Sequence, residues 1–384
     1  MKPLRIALVL DRFDPNYGGL ESWAGQWSRW LAGHGHDVHV AAFDVAPGVA
    51  GPGVVPHVLP PASGRLARAA EAEGFLGRLN PDLVHDMGVG WRYDILQPQA
   101  GSRLANARRD RLSLGRWARF RRRLSPWHAR RTKELRALEE RQYGPGPGIV
   151  IAVSRLVQAD LQRRYGLDEG RIRLVYNGVD LRRLAGLDPG TCRDDLRNSL
   201  GLHDEVLFLF VGHNFRLKGL GPSLEALAIL KRARRPCHLA VIGRGPREEY
   251  QARARRLGVL DSVSFHGHVT DVRPFFNGAD AFVLPTFHDA CSLAAGEAWA
   301  CGLPVITTRW NGAAELMTSG VQGWTLDDPR DAPELARHMV MLLDPGRRKM
   351  MSEAARELGS GLSLENNFAR IEEIIEEGRE AGRS

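Results

Sequence analysis

Short apolar runs alternate with amphipathic helical stretches along this chain, and the alternation begins twice. Ile6 to Leu10 reads as a buried strand, and a Gly18-Gly19 turn follows it. Leu20, Trp23, Trp27, Trp30 and Leu31 then recur at helical spacing until Gly33 and Gly35, and Val38 to Phe43 is the next strand. Leu83–His85, Ile149–Val153 and Ile172–Tyr176 continue the first series. A second series opens at Val206–Val211 and runs through a helix at Ser223–Arg232, a strand at His238–Ile242 and a helix at Arg247–Leu257. Strands follow at Val263–Phe265 and Ala281–Leu284. Strands joined by helices pair in parallel and need cover on both faces, which predicts an α/β fold. The Gly/Asp/Arg-rich stretch Leu181–Asp204 divides the series into two domains, 1–185 and 200–360. A charged amphipathic helix, Glu365–Glu377, falls in the closing segment 361–384.

At 384 residues each domain can bury its own core, and 43% hydrophobic with 26% charged residues is a globular balance. No apolar run approaches the roughly 20 residues of a spanning helix. The opening Met1–Leu10 reads as a first strand and not a leader, because Asp11-Arg12 follow at once. Cys192, Cys237, Cys291 and Cys301 show no paired or metal-ligand spacing, which predicts reduced thiols and a cytoplasmic compartment. A net charge of +8 predicts an acidic partner.

Chemistry concentrates at Asp289–Pro304, where a strand gives way to a helix carrying Glu297 in its first turns. The free N–H groups of a helix N-terminus favour an anion. Two carboxylates beside an anion site make sense if sugar or ribose hydroxyls donate to them. Four further strings stand at strand ends: Gly18-Gly19-Leu20-Glu21, Lys218-Gly219 after Val211, Ile242-Gly-Arg-Gly-Pro246 and Phe265-His-Gly267-His268-Val269. Asn177-Gly178-Val179-Asp180 leads out of the first domain.

Their order and spacing resemble the retaining, family-4-type glycosyltransferases of the GT-B fold, with Asp289 in place of the first Glu of the E-x7-E signature. The resemblance implies two Rossmann-like domains with parallel sheets facing across a central cleft. It implies a nucleotide-sugar donor and a glycan or glycolipid acceptor, as in bacterial lipopolysaccharide core and other cell-envelope transferases. Gly18, Gly19, Arg216, Lys218 and the amides near Leu293 and Ala294 would then hold the diphosphate, although Arg216 is one residue out of step with the usual arginine. The loop of Gly267 and His268 would meet the base. Glu297 would accept from ribose hydroxyls and Asp289 from the donor sugar. Relatives carry a His or Asp in the first-domain loop that faces the reacting carbon. Gln99 or Ala100 stands there, and Gln99 cannot act as a base near neutral pH. His85, beside Asp86, is the candidate substitute; the plainer reading is that both only orient their loop. No D-x-D closes a strand, so the expectation is no metal and no cofactor beyond the nucleotide-sugar substrate. The alternatives are a sugar-nucleotide 2-epimerase of the same architecture, or a non-catalytic binder of nucleotide sugar or nucleic acid.

The basic insert, about 103–143, reads as two helices broken at Ser125-Pro126, a good N-cap and first helical residue. Leu114, Trp117, Phe120 or Arg121, Leu124 and Trp127 form a stripe among arginines that include Arg122 and Arg123. The stripe either packs on the sheet, with a solvated basic face, or meets a nucleic acid or an anionic membrane. Arginine in such excess in the acceptor domain of such a transferase favours acidic lipid or lipopolysaccharide. The expected partner is therefore the inner membrane's cytoplasmic face, with the protein peripheral on it and no nucleic acid bound.

Overall fold

The computed structural model describes residues 3–381, so Met1-Lys2 and Gly382–Ser384 of the predicted terminal segments lie outside the described residues. The chain forms two units: one comprises the chain up to Arg108, Arg116–Tyr176 and the chain from Phe368 onward, the other Arg109–Gly115 and Asn177–Asn367.

The first stretch of chain runs β1 (Arg5–Phe13), α1 (Gly19–Gly33), β2 (Asp37–Val45), β3 (Val54–Val58), α2 (Arg65–Leu79), β4 (Leu83–Asp86) and β5 (Ile95–Leu96). It continues with α3 (Arg103–Leu112), α4 (Arg116–Arg123), α5 (Pro126–Gln142), β6 (Ile149–Ala152), α6 (Arg155–Tyr165) and β7 (Ile172–Leu174). The seven strands pair in parallel in the order β3-β2-β1-β4-β5-β6-β7. Ile6 to Leu10 of β1 are fully buried, as expected of a central strand covered on both faces. Trp23 and Trp27 of α1 pack on Phe368, with ring centroids 5.6 and 5.1 Å away.

The basic insert departs from expectation. It forms three helices, because Ser113-Leu114-Gly115 breaks the first half. The Ser113 hydroxyl donates to the Asp110 carbonyl, and a glycine two residues on removes helix propensity. The break at Ser125-Pro126 forms as read, with the Ser125 hydroxyl accepting from the His128 N–H. The aromatic stripe does not pack on the sheet: Trp117, Phe120, Leu124 and Trp127 are 82, 56, 65 and 60% exposed.

The second stretch runs α7 (Leu181–Leu184), α8 (Pro189–Leu200), β8 (Val206–Val211), α9 (Leu220–Arg232), β9 (Cys237–Ile242), α10 (Arg247–Leu257), β10 (Val263–Gly267) and α11 (Arg273–Gly278). It ends with β11 (Ala281–Leu284), α12 (Leu293–Ala300), β12 (Val305–Thr308), β13 (Gly323–Leu326), α13 (Ala332–Met341), α14 (Pro345–Ser360) and α15 (Leu364–Ala381). Its six parallel strands follow the order β10-β9-β8-β11-β12-β13. The order reverses between β8 and β11, and ligands of such sheets bind at that switch point, outside the carboxyl ends of the strands. The loops that matter are therefore 212–219 and 285–292. No helix among the described residues is long and apolar enough to cross a membrane.

Candidate active site

Backbone sterics shape the 212–219 loop. Gly219 has φ +84°, and a Cβ there would come 2.0 Å from the Pro285 carbonyl oxygen, so only glycine fits. That close approach joins the two switch-point loops. The Leu217 carbonyl accepts from the Phe287 N–H at 2.8 Å and from the Thr286 hydroxyl at 3.1 Å. Lys218 is thereby carried next to Asp289, and its ammonium donates to Asp289 Oδ2. The Asp289 backbone is pinned on both sides: its N–H donates to the Trp310 carbonyl, and its carbonyl accepts from the Gly312 N–H.

Asn311, which is fully buried, sets the rest of this loop. Its Oδ1 accepts from the N–H groups of Ser292 and Ala313, both at 3.1 Å, and its Nδ2 donates to Thr307 Oγ1 at 3.1 Å. Ser292 caps α12 by accepting from the Ala295 N–H. Leu293 and Ala294 thus open the helix with N–H groups that cannot be used within it. Glu297 lies one turn further on. Burial raises its pKa to about 7, the Arg183 charge lowers it and the Asp180 charge adds to the rise. Asn177 reaches the same loop, its Nδ2 donating to the Cys291 carbonyl at 2.9 Å. Gly178 leaves no room for a side chain, a Cβ there lying 2.7 Å from Leu364 Cα.

Next along the sheet edge, the ends of β8, β9 and β10 hold His213, Arg244 and His268. The Arg244 N–H donates to His213 Nδ1 at 3.0 Å, and its guanidinium lies 3.4 Å from His268 Nε2. Gly267 has φ +71°, and its carbonyl accepts from the Gly243 N–H at 2.8 Å.

Arg216 is placed differently from the expectation of a phosphate ligand. It donates to the Asp110 carbonyl at 2.8 Å, to Asp110 Oδ1 at 2.7 Å and to Ser113 Oγ at 2.6 Å, all within the second unit.

In the first unit, Gly18 is the extended N-cap of α1 without a side-chain cap, and Gly19 begins the helix. A Cβ on Gly18 would meet Glu21 Oε2 at 2.9 Å. Burial, first among its causes, raises the Glu21 pKa. His85, the candidate substitute base, is corrected by its surroundings. It is fully buried, the Trp27 indole N–H donates to its Nδ1 at 3.2 Å, and its Nε2 meets Gln97 Oε1 at 3.1 Å. Burial drives its pKa down to about 3, against the Gln97 bond, and with both ring nitrogens engaged and no exposed surface the imidazole presents no open nitrogen to an acceptor hydroxyl. Asp86 beside it accepts from the N–H groups of Gly88, Val89 and Gly90 and shapes that loop. Gln99 is half-buried, and its Nε2 has no hydrogen-bond partner.

Trp117, Phe120, Arg121, Arg122, Arg123 and Trp127 lie on α4 and at the start of α5, away from the switch-point loops in sequence and exposed or half-exposed. Sequence reasoning missed Asn311 and Arg183, and it gave Arg244, which stands in the quoted Gly-Arg-Gly string, no role. Asn311-Gly312 is a turn signal that would have drawn attention to the first.

Two family models match the chain, Glycosyltransferase Family 4 over residues 17–183 and Glycosyl transferases group 1 over residues 205–345. The D-inositol 3-phosphate glycosyltransferase of Xylanimonas cellulosilytica is 33% identical over 230 residues, 58% of this chain and 55% of that protein. The lipopolysaccharide glucosyltransferase WaaG of Escherichia coli is 30% identical over 223 residues, 57% of this chain and 60% of that one. The chain thus spans little more than half the length of these curated relatives. Among solved structures, WaaG superposes with a TM-score of 0.82 at 23% identity, covering 96% of this chain and 99% of that one. Anabaena HepE, solved with UDP and glucose, gives 0.74 at 16% identity, covering 97% and 100%. One glycosyltransferase model falls on each half of the sequence, in chain order, and the fold is shared with WaaG over nearly its whole length: the chain belongs to the family-4-type glycosyltransferases of GT-B fold.

Proposed function

We propose that this chain transfers a sugar, with retention, from a nucleotide-sugar donor to a glycan or glycolipid of the cell envelope, such as a lipopolysaccharide core. The observation that carries this reading is the Lys218–Asp289 pair at the switch point, beside the N-terminus of α12 and Glu297. A diphosphate at that helix start draws the ammonium of Lys218, and Asp289 is then free to accept from the donor sugar's hydroxyls. Glu297, once ionised, accepts from ribose hydroxyls. The bond from the anomeric carbon to the diphosphate oxygen breaks, and the bond to the acceptor oxygen forms on the same face. The acceptor's hydroxyl proton passes to the departing phosphate, so no side-chain base is required. Charge on the leaving group is met by Lys218 and the amides of Leu293 and Ala294, which is the role of preorganised donors in transition-state stabilisation and makes a metal unnecessary.

The 2-epimerase alternative needs acid and base groups around the sugar. The sealed His85 and the non-titrating amides of Gln97 and Gln99 favour transfer instead. Two similar proteins, a lipopolysaccharide glucosyltransferase and Anabaena HepE in complex with UDP-glucose, support an envelope acceptor and a nucleotide sugar. The exposed Trp117, Phe120, Leu124 and Trp127 among arginines support a peripheral position on the cytoplasmic membrane face. A thermal-shift screen of nucleotide sugars, followed by transfer to envelope glycans and assignment of the product's anomeric configuration, tests the proposal. Inversion, or no stabilisation by any nucleotide sugar, would sink it.

A further inference from the structure

Three arginines of the first unit converge on one carboxylate. Arg65 and Arg68 occupy the first turn of α2, and Arg103 opens α3. Arg65 donates to Asp11 Oδ2, Arg68 donates to Asp11 Oδ1 at 2.9 Å, and Arg103 Nη2 stands 3.5 Å from Asp11 Oδ2. Burial works to raise the Asp11 pKa, but the charges of Arg65 and Arg103 and the bonds from Arg65 and Arg68 outweigh it, so the carboxyl stays below its ordinary range.

Other acids face this cluster without neutralising it. Asp86 and Glu139 lie in the field of Arg103, and Glu21 in that of Asp11. Asp86 commits its oxygens to three loop amides. Glu139 commits its own to the N–H groups of Arg103 and Leu104 and the hydroxyls of Ser102 and Tyr165. Asp11 is left as the carboxylate that the three guanidinium groups share. Those side chains remain 29, 34 and 25% exposed, in the order Arg65, Arg68, Arg103.

For stability alone the placement is poor. The first turn of α2 has no acid and no side-chain cap, and cations there oppose the helix dipole. Glu134 relieves it only by accepting from the Leu66 N–H at 3.2 Å. The neighbouring loop adds donors that lack acceptors. Gln97 is fully buried; with its Oε1 taken by His85, its Nε2 has no partner, and neither has Gln99 Nε2. Pro98, between them, packs on Gly88, whose carbonyl accepts from Arg103 at 2.9 Å. These groups lie toward the carboxyl ends of β1, β4 and β5, the edge where such sheets bind ligands. A region with donors in surplus calls for an oxyanion with several acceptor oxygens.

We propose that Arg65, Arg68 and Arg103 form a subsite for a monoester phosphate carried by the sugar acceptor. The proposal rests on the glycosyltransferase reading and narrows its acceptor to a phosphorylated sugar. A tetrahedral dianion offers a separate oxygen to each guanidinium, where a second carboxylate would offer two. Asp11 stays in place and aligns the arginines.

Calorimetry on the full chain, with glucose 6-phosphate, glucose and glucuronate as probes at fixed salt, tests this. Glucose 6-phosphate binds and glucose does not. The Arg65→Gln/Arg68→Gln variant, whose helix start is relieved of charge, stays folded by circular dichroism and loses affinity on the order of 10- to 100-fold. Lys218→Ala leaves that affinity unchanged. Loss in Lys218→Ala but not in the arginine variant would place the phosphate at the donor site and overturn the proposal, as would glucuronate binding as tightly as the phosphate ester. Nucleotide-sugar turnover, measured separately, keeps the two failures apart. An unresponsive arginine pair with intact turnover overturns the subsite alone. A responsive pair without turnover supports the anion site and overturns the transferase reading beneath it.

Discussion

Lys218 donates to Asp289 Oδ2, so the cation that follows β8 and the carboxylate that follows β11 neutralise each other across the switch point. In the proposed reaction, a donor that recruited the ammonium to its diphosphate would release the carboxylate in the same event, and neutralising the leaving group and recognising the sugar would become one exchange.

Removing the cation tests that coupling. Lys218→Ala is expected to cost roughly 2–4 kcal/mol in kcat/KM, because a cation beside a departing diphosphate is lost from a partly buried site. Turnover equal to wild type, with the donor that the screen identifies, would exclude Lys218 from the site.

The two carboxylates are expected to separate in kinetics and in pH. Asp289→Asn depresses turnover while nucleoside-diphosphate binding stays nearly intact, whereas Glu297→Gln weakens both. Glu297 has its pKa raised to about 7 by burial, and its ionised form is the better acceptor for ribose hydroxyls. Nucleoside-diphosphate affinity therefore rises with pH through about 7 more steeply in wild type than in Glu297→Gln, where only the ligand's own terminal phosphate titrates, as titration calorimetry from pH 6 to 8 would show. The sign for stability is opposite. A carboxyl with a raised folded pKa contributes most below its unfolded value and loses that contribution as pH rises through 7. Glu297→Gln should then be the more stable protein at pH 8, by about 1–2 kcal/mol, and show no such gain at pH 4.5.

His85 is expected to matter for folding and not for proton transfer. His85→Ala breaks the bonds to Trp27 and Gln97 and leaves a cavity beside β4, costing about 2–4 kcal/mol in denaturant titrations. Its lowered pKa means that its stability contribution is complete above pH 6.5 and falls away as pH drops toward 3. A pH–rate profile that loses an ionisation in this variant, with the melting point unchanged, would return it to the chemistry.

The helical pair at α4 and α5 gives a salt-dependent expectation. Each arginine contributes about 1 kcal/mol near an anionic surface, and salt screens it. Co-sedimentation should show binding to anionic vesicles, release of most protein at high salt, and a residue that stays bound through Trp117, Phe120 and Trp127. Binding to neither anionic nor neutral vesicles would leave the patch without a lipid partner.

Both sheets and the centre of the candidate site were legible in the sequence, for local reasons. Buried parallel strands have continuous apolar centres, which marks Ile6–Leu10 of β1, β8 and β11 directly. Lys218-Gly219 and Asn177-Gly178 are legible because a close backbone approach admits only glycine. Ser292 and Glu297 are legible because a helix start has its own grammar. What escaped notice depends on pairing between distant residues: Asn311 with Ser292, Arg216 with Asp110, Arg65 with Asp11. Periodicity marks the stripe of Trp117, Phe120 and Leu124 equally well whether it faces protein or water, so its exposure had to come from the fold. The third helix of the insert was hidden because Ser113-Leu114-Gly115 interrupts a run of arginines too briefly to change its character.

The outward face of α4 bears on how this protein behaves in a tube. Trp117 and Phe120 stand exposed there, and apolar patches of this kind are expected to seek another surface, whether detergent, a vessel wall or another copy. A bulk assay without lipid would then report a mixture of freely diffusing and adsorbed molecules. Specific activity would vary with vessel, dilution and surfactant before it varied with any substrate.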